Sequence, residues 1–254
     1  MSLQEEFERQ GNWMFCRRSY LPIVVLLACY LQFVSNLYQP SVVFSHVQEA
    51  FPHYRYFCLT VSLAGLLIRI YTVGHTPSGT SGRNTHGQVA ESLNTTGLYS
   101  VVRHPLYVGN FVIYFGIVLL TCSPMFVLIF VLIFVLSYWV YCERIMYAEE
   151  QFLKRKFADS YREWSCGVPA FLPRFGNWVK PSLSFSWKKA LRQEKNGLLA
   201  IFLVYATFHL TQTWALRHHP LDNTLLGLTA VSLAAYVVLK LLKKQTKCLA
   251  DDGR

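Results

Sequence analysis

The sequence predicts an all-α integral membrane protein with about six transmembrane helices, two of them joined as a tight helical hairpin. Three observations carry that prediction. Of the 254 residues, 53% are hydrophobic and only 15% are charged, against about 25% charged in ordinary soluble domains. The charges gather in short blocks and leave six apolar stretches, each near the ~20 residues that cross a bilayer as a helix. All but three of the 24 Lys and Arg then fall on one side of the membrane, counting Lys240 with the C-terminus.

The spans fall at about 20–44, 54–73, 107–123, 124–142, 197–216 and 224–242. No Asp or Glu lies inside any of them, as expected where a central charge costs about 3 kcal/mol even on the mildest scale. The first is long enough to tilt, or to break near Pro40. The third is short. Only Cys122, Ser123 and Pro124 separate it from the fourth, which makes these two the hairpin.

The basic residues set the orientation. Arg55 and Arg217 alone fall on the poor side, and Arg69 sits near the end of the second span, from where it could snorkel. The rich side is therefore expected to be cytoplasmic, with both termini. The net charge of +10 describes a face that meets anionic headgroups. No basic module with interleaved aromatics supports a nucleic-acid partner.

The seven cysteines, at 16, 29, 58, 122, 142, 166 and 248, show no metal-ligand or redox spacing. They read as small apolar packing residues, and no metal site is predicted. Residues 1–19 hold Glu5, Glu6, Glu8, Arg9, Arg17 and Arg18 without a small-residue cleavage site, so the first span reads as a retained anchor. The sequon at Asn94 falls on the expected cytoplasmic side and is discounted. Three regions follow: a two-span entry at 1–73, a core of loop, hairpin, charged helix and cap at 74–175, and a basic linker with two spans at 176–254.

Chemistry concentrates in two stretches of the core. In the first, Arg103, His104, Pro105 and Tyr107 stand where a loop meets the third span. Pro105 suits the first turn of a helix, and a helix N-terminus presents free N–H groups to a carboxylate or phosphate. A basic interfacial anchor with a belt tyrosine fits these residues equally well. In the second, residues 143–164 form a charged helix continuing the fourth span, with Met146, Leu153, Phe157, Tyr161 and Trp164 along one apolar stripe and Glu149 and Glu150 near its start. Pro169 and Pro173 then forbid helix, so 168–173 is expected to fold back as an extended cap.

The two stretches together resemble the isoprenylcysteine carboxyl methyltransferases and related membrane phospholipid methyltransferases, over about 93–175. The resemblance implies a cytoplasmic pocket for S-adenosylmethionine beneath the hairpin. His104 and Tyr107 would hold its amino-acid end, with Glu149 and Glu150 in the same pocket and Leu98, Tyr99 and Val101 near the adenosine. Two positions depart from the family pattern: Ala158 stands where glycine is frequent, and Ala170 where arginine is frequent, with Arg174 able to supply that charge.

Competing classes are weaker. No Gly-x-Gly-x-x-Gly occurs, and the near phosphate loop at 74–80 lacks its lysine. A proton-coupled transporter would call for carboxylates inside the spans. The loop 79–86, with Ser81 and Arg83, suits an anionic headgroup, though a flexible linker has the same composition. Arg69, Ser81 and Arg83 are the expected acceptor-binding residues, and Arg144 and Arg103 the expected catalytic ones. The favoured activity is O-methylation of an anionic lipid-borne group, a lipid phosphate such as that of lipid A or a prenylcysteine carboxylate. N-methylation of an ethanolamine headgroup, or a membrane scaffold or transporter, is the alternative. A homodimer is left open.

Overall fold

The structure, a computed structural model, describes residues 2–38, 53–77, 87–121, 127–216 and 220–245. The hairpin turn at 122–124, Pro40, Arg217 and the loop with Ser81 and Arg83 lie outside the described residues.

The described residues are mostly helical, with irregular chain chiefly at 87–97 and 168–186. In order come α1 (Leu3–Arg17), α2 (Leu21–Tyr38), α3 (Tyr54–Gly74), a 3-10 turn (Leu98–Ser100), α4 (Pro105–Thr121), α5 (Val127–Gly167), a second 3-10 turn (Phe175–Asn177), α6 (Trp187–Ala215) and α7 (Asn223–Gln245). Four helices, α3, α5, α6 and α7, are long and apolar enough to cross a membrane. A fifth span arises if α1 and α2, bent by 72°, count as one. Helix α4 has only 17 residues, roughly 26 Å of rise. Among the described residues, length and composition thus support four or five spans, where the sequence suggested six.

Helices α3 and α4 form the tightest pair, and glycine makes their approach possible. A Cβ on Gly65 would come within 2.6 Å of the Gly109 carbonyl oxygen, and one on Gly116 within 2.6 Å of the Cys58 carbonyl oxygen. Such small-residue crossings let backbones touch where lipid gives no hydrophobic drive. Around this pair, Phe33 of α2, Leu66 of α3, Val118 of α4, Tyr138 of α5 and Tyr205 of α6 close one core. Leu27, Leu132, Leu136 and Val231 stay exposed on the outer faces. Apolar surface of that extent is a liability in water and the expected face toward lipid.

Two findings differ from the sequence reading. Residues 3–17, for which the sequence reading noted only charged residues and the lack of a cleavage site, form a helix opened by a capping box in which Ser2 and Glu5 exchange side-chain and backbone bonds. The stretch read as a linker up to residue 196 is helical from Trp187 onward, with Ser186 as its N-cap. Inside α6, buried Lys189 donates to the carbonyls of Thr76 (2.6 Å) and Pro77 (2.7 Å), just past the end of α3. At the opposite end of the bundle Asp222 caps α7 through Leu225 N–H and accepts from the Tyr56 hydroxyl at 2.8 Å.

Candidate active site

The site begins at Gly97, whose φ of +62° and ψ of −135° suit a residue without a Cβ. That bend lets Gly97 donate to the Val179 carbonyl at 2.9 Å, and the Ser100 hydroxyl accept from Val179 N–H at 2.9 Å. The chain then turns through Leu98–Ser100 into α4. The His104 carbonyl accepts from Tyr107 and Val108 N–H, so Pro105 occupies the first turn, where it forfeits no bond.

The two glutamates of α5 meet this turn. Glu150 accepts from Arg103 at 3.1 Å and lies 3.2 Å from His104 Nε2. Glu149 accepts from the Tyr107 hydroxyl at 2.8 Å and lies 3.5 Å from His104 Nδ1. Tyr107 is braced in turn, because the Tyr138 hydroxyl donates to its carbonyl at 3.0 Å. Burial alone would lower the pKa of His104, but hydrogen bonds and charge from Glu149 and Glu150 raise it above its ordinary value. Burial would raise the carboxyl of Glu150; the hydrogen bond and charge of His104, with Arg103 and Lys154, hold it below the usual range.

The cap folds back as the prolines require. Helix α5 kinks at Ala158, whose φ is +41° and ψ −113°. Past the kink Tyr161 is fully buried, 3.5 Å from Arg103, and the Trp164 indole donates to the Tyr99 carbonyl at 3.2 Å. The segment 168–173 lies along the turn but bends at 168 and over 170–172, where the sequence reading expected extended chain. Arg103 and His104 N–H donate to the carbonyls of Pro169 and Ala170, and Arg174 N–H to that of Val101. Phe171 edges onto Phe111 and Trp139, sealing the cap against α4 and α5.

Beside this cluster opens a cavity of about 990 Å³, at the upper end of the ~300–1,000 Å³ usual for ligand pockets. Its polar end holds Tyr99, Arg103, His104, Tyr107 and Glu149; its apolar wall includes Ile113, Ile117, Ile201 and Val204. Arg69 also lines it, bound to both oxygens of Glu194 at 2.9 and 2.8 Å and to Asn110 at 2.8 Å. Gly109 makes room for the Arg69 side chain, since a Cβ there would stand 2.6 Å from Arg69 Cγ.

The expected residues therefore divide. His104, Tyr107, Glu149, Glu150 and Arg103 come together, and Tyr99 and Arg69 line the same cavity. Leu98 borders a smaller neighbouring pocket, and Val101 is fully buried. Arg144 stands apart from them: its guanidinium lies 3.4 Å over the Phe7 ring of α1 and is not among the residues lining the cavity. Five residues along a helix turn it about 140° from Glu149, which points it at α1. Glu194 escaped the sequence reading because it sat in the supposed linker. Ser186 as N-cap and the spacing Ala190, Glu194, Gly197, Ile201 are the signal that could have found it. Among the described residues no group of three or more His, Cys, Asp or Glu is arranged to hold a metal ion.

Residues 56–160 match the family model of phospholipid methyltransferases. The chain is also similar to the nickel-cobalt-cadmium resistance protein NccN of Alcaligenes xylosoxydans xylosoxydans, 38% identical over 88 residues, 35% of this chain and 39% of that one. It is 32% identical over 120 residues to protein-S-isoprenylcysteine O-methyltransferase B of Arabidopsis thaliana, covering 46% of this chain and 58% of the relative. To protein-S-isoprenylcysteine O-methyltransferase of Schizosaccharomyces pombe it is 35% identical over 81 residues, 32% and 33% of the two chains. The match thus spans between a third and three fifths of each relative's length. No solved structure matches the chain.

Proposed function

Residues 56–160 belong to the phospholipid methyltransferase family, and on that premise we propose that the protein is an integral membrane methyltransferase that uses S-adenosylmethionine and modifies a lipid-borne acceptor. The observation that carries this reading is one cavity with a charged head at His104, Tyr107 and Glu149 and an apolar body at Ile113, Ile117, Ile201 and Val204.

The residues present fit the cofactor. A carboxylate beside an imidazole and a guanidinium complements an amino-acid zwitterion, and Tyr99 and Trp164 offer aromatic surface to a base. Among the described residues the Nε of Arg103 is buried without a partner, a donor for which a ligand oxygen would compensate. Bound S-adenosylmethionine supplies an activated methyl group on a sulfonium centre. Around it the protein supplies alignment and dryness. Tyr107 orients Glu149, Glu150 ties down Arg103 and His104, and the Phe171 cap keeps water from the polar end.

The acceptor is an anionic group on a lipid chain, methylated on oxygen. A carboxylate or phosphate is already ionised near neutral pH and needs a positioning cation rather than a base. Arg69, held by Glu194 and Asn110 on the cavity wall, is that cation. A prenylcysteine carboxylate corresponds to the names of two relatives; a lipid phosphate, such as that of lipid A, has the same chemistry. N-methylation of an ethanolamine headgroup is the second reading, favoured by Glu194, a carboxylate on the cavity wall that could take an amine proton. The one-sided distribution of Lys and Arg supports a cytoplasmic position for the polar end of the cavity.

The test incubates purified protein with labelled S-adenosylmethionine and, separately, total membrane lipid and a farnesylcysteine analogue, then identifies the labelled species. Cofactor binding by calorimetry should be lost in His104→Ala and Glu150→Ala with helicity retained. Unchanged binding in both variants would reject the assignment.

A further inference from the structure

Leu172, Phe175 and Trp187 are 71, 72 and 68% exposed, and Trp178 and Val179 are 49 and 51% exposed. All five lie on the stretch that joins the cap to the first residue of α6. Large apolar side chains left open on a segment that is not itself a span call for a partner.

Helix α3 sets the level of this stretch. Its 21 residues rise about 31 Å, close to the ~30 Å of a bilayer's hydrocarbon, so its last turn, 71–74, marks the boundary with the headgroups. Ser186 N–H donates to the Gly74 carbonyl at 2.9 Å, which brings the start of α6 to that boundary. A row of touching rings crosses the same place: Trp178 on Tyr71 (6.2 Å), Tyr71 on His75 (4.6 Å), His75 on Phe185 (5.3 Å) and Phe185 on Trp187 (4.6 Å). Gly74 makes room for the row, since a Cβ there would collide with the Phe185 ring. Its two ends, Trp178 and Trp187, are its exposed members. Indole rings at that depth anchor a protein to the headgroup layer.

Charge picks out the kind of surface. Between Glu163 and Glu194 the chain holds Arg174, Lys180, Lys188, Lys189 and Arg192 and no acidic residue. Arg174, Lys180 and Lys188 are exposed, each within a residue or two of one of the apolar five. A band that is apolar and wholly basic complements a bilayer surface carrying anionic lipids. The same stretch also holds the site. Val179 takes the Gly97 N–H on its carbonyl and gives its own N–H to the Ser100 hydroxyl, and Arg174 N–H bonds the Val101 carbonyl, all at 2.9 Å.

We propose that residues 172–188 form an interfacial anchor seated on the anionic headgroups of the leaflet beside the site, and that this contact holds the cap against the turn leading to His104. Such an anchor is independent of which cofactor or acceptor the cavity takes.

The test uses the full chain, labelled with 5-fluorotryptophan, in nanodiscs, with the two resonances assigned by their loss in Trp178→Phe and Trp187→Phe. A lipid carrying a nitroxide near its headgroup should broaden both signals. Broadening by a water-soluble gadolinium chelate but not by the lipid would put the rings in water, and broadening by neither would put them under a protein partner or a second copy; either result overturns the anchor. Amide hydrogen exchange over 168–180 should slow by about fivefold or more when phosphatidylglycerol is added to phosphatidylcholine discs, the scale of one basic side chain meeting an anionic leaflet. Lys180→Gln/Lys188→Gln should lose most of that slowing. Exchange that ignores lipid charge in the native protein would overturn the link between anchor and cap.

Discussion

His104 Nε2 stands 3.2 Å from Glu150 Oε1, across 46 positions of sequence. The contact joins the start of α4 to the charged half of α5, and both side chains are largely withdrawn from water. Their protonation is therefore linked to folding.

The folded state favours the charged form of both groups. With its pKa raised, His104 contributes stability that is complete below about pH 6.5 and is lost as pH rises through the raised value. With its carboxyl lowered, Glu150 contributes stability that is complete above about pH 4.5 and is lost as pH falls through the lowered value. Their joint contribution is largest between those two pH values. In carbon-labelled histidine NMR the His104 resonance, assigned by its loss in His104→Asn, should titrate above 6.5. In Glu149→Gln/Glu150→Gln, where burial is no longer opposed, its midpoint should drop below 6.5.

Ala158 occupies a backbone conformation that L side chains rarely adopt, at φ +41° and ψ −113°. Ala158→Gly should stabilise the protein by about 1 kcal/mol, and Ala158→Val should destabilise it. Thermal unfolding in detergent would read both, and a lower melting temperature for the glycine variant would contradict the strain.

The Gly65–Gly109 crossing leaves no room for a methyl group. Gly65→Ala presses on the Gly109 carbonyl and the Ile113 amide, so it should cost about 1–3 kcal/mol by overpacking. Gly227→Ala, whose Cβ would meet nothing within 4 Å, should cost nothing. Equal losses in the two variants would show that the crossing does not need glycine.

Arg69 and Glu194 are held bidentately, the carboxylate almost fully buried. Removing one partner strands the other, so Arg69→Met and Glu194→Leu should each destabilise by about 3–5 kcal/mol. The double variant should be more stable than either single one, while methyl transfer stays lost in all three. A double variant as unstable as the sum of the singles would argue that the two residues act independently.

Both halves of the site are legible as strings. Pro105 announces a helix start, and Pro169 and Pro173 announce a segment that leaves α5 and folds back, which the bonds from Arg103 and His104 to the cap show. Ala158 is marked in the sequence as a departure, and its positive φ supplies the reason glycine would suit that place. The places of Arg144 and Glu194 are not legible in that way, because each depends on which helix its face meets. The face of α5 bearing Arg144 is covered by α1, and Glu194 reaches Arg69 only because α6 continues ten residues below its apolar part.

The sequence alone determined a helical membrane protein, because excluding charge from long stretches is a local demand of the bilayer, readable residue by residue. It also determined where the chemistry begins, since proline and helix-start rules act over a few positions. Tertiary structure alone decided which charge meets which. Pairing Arg69 with Glu194 depends on the angles at which glycine lets helices cross, and such contacts between distant segments leave no periodic mark in the chain.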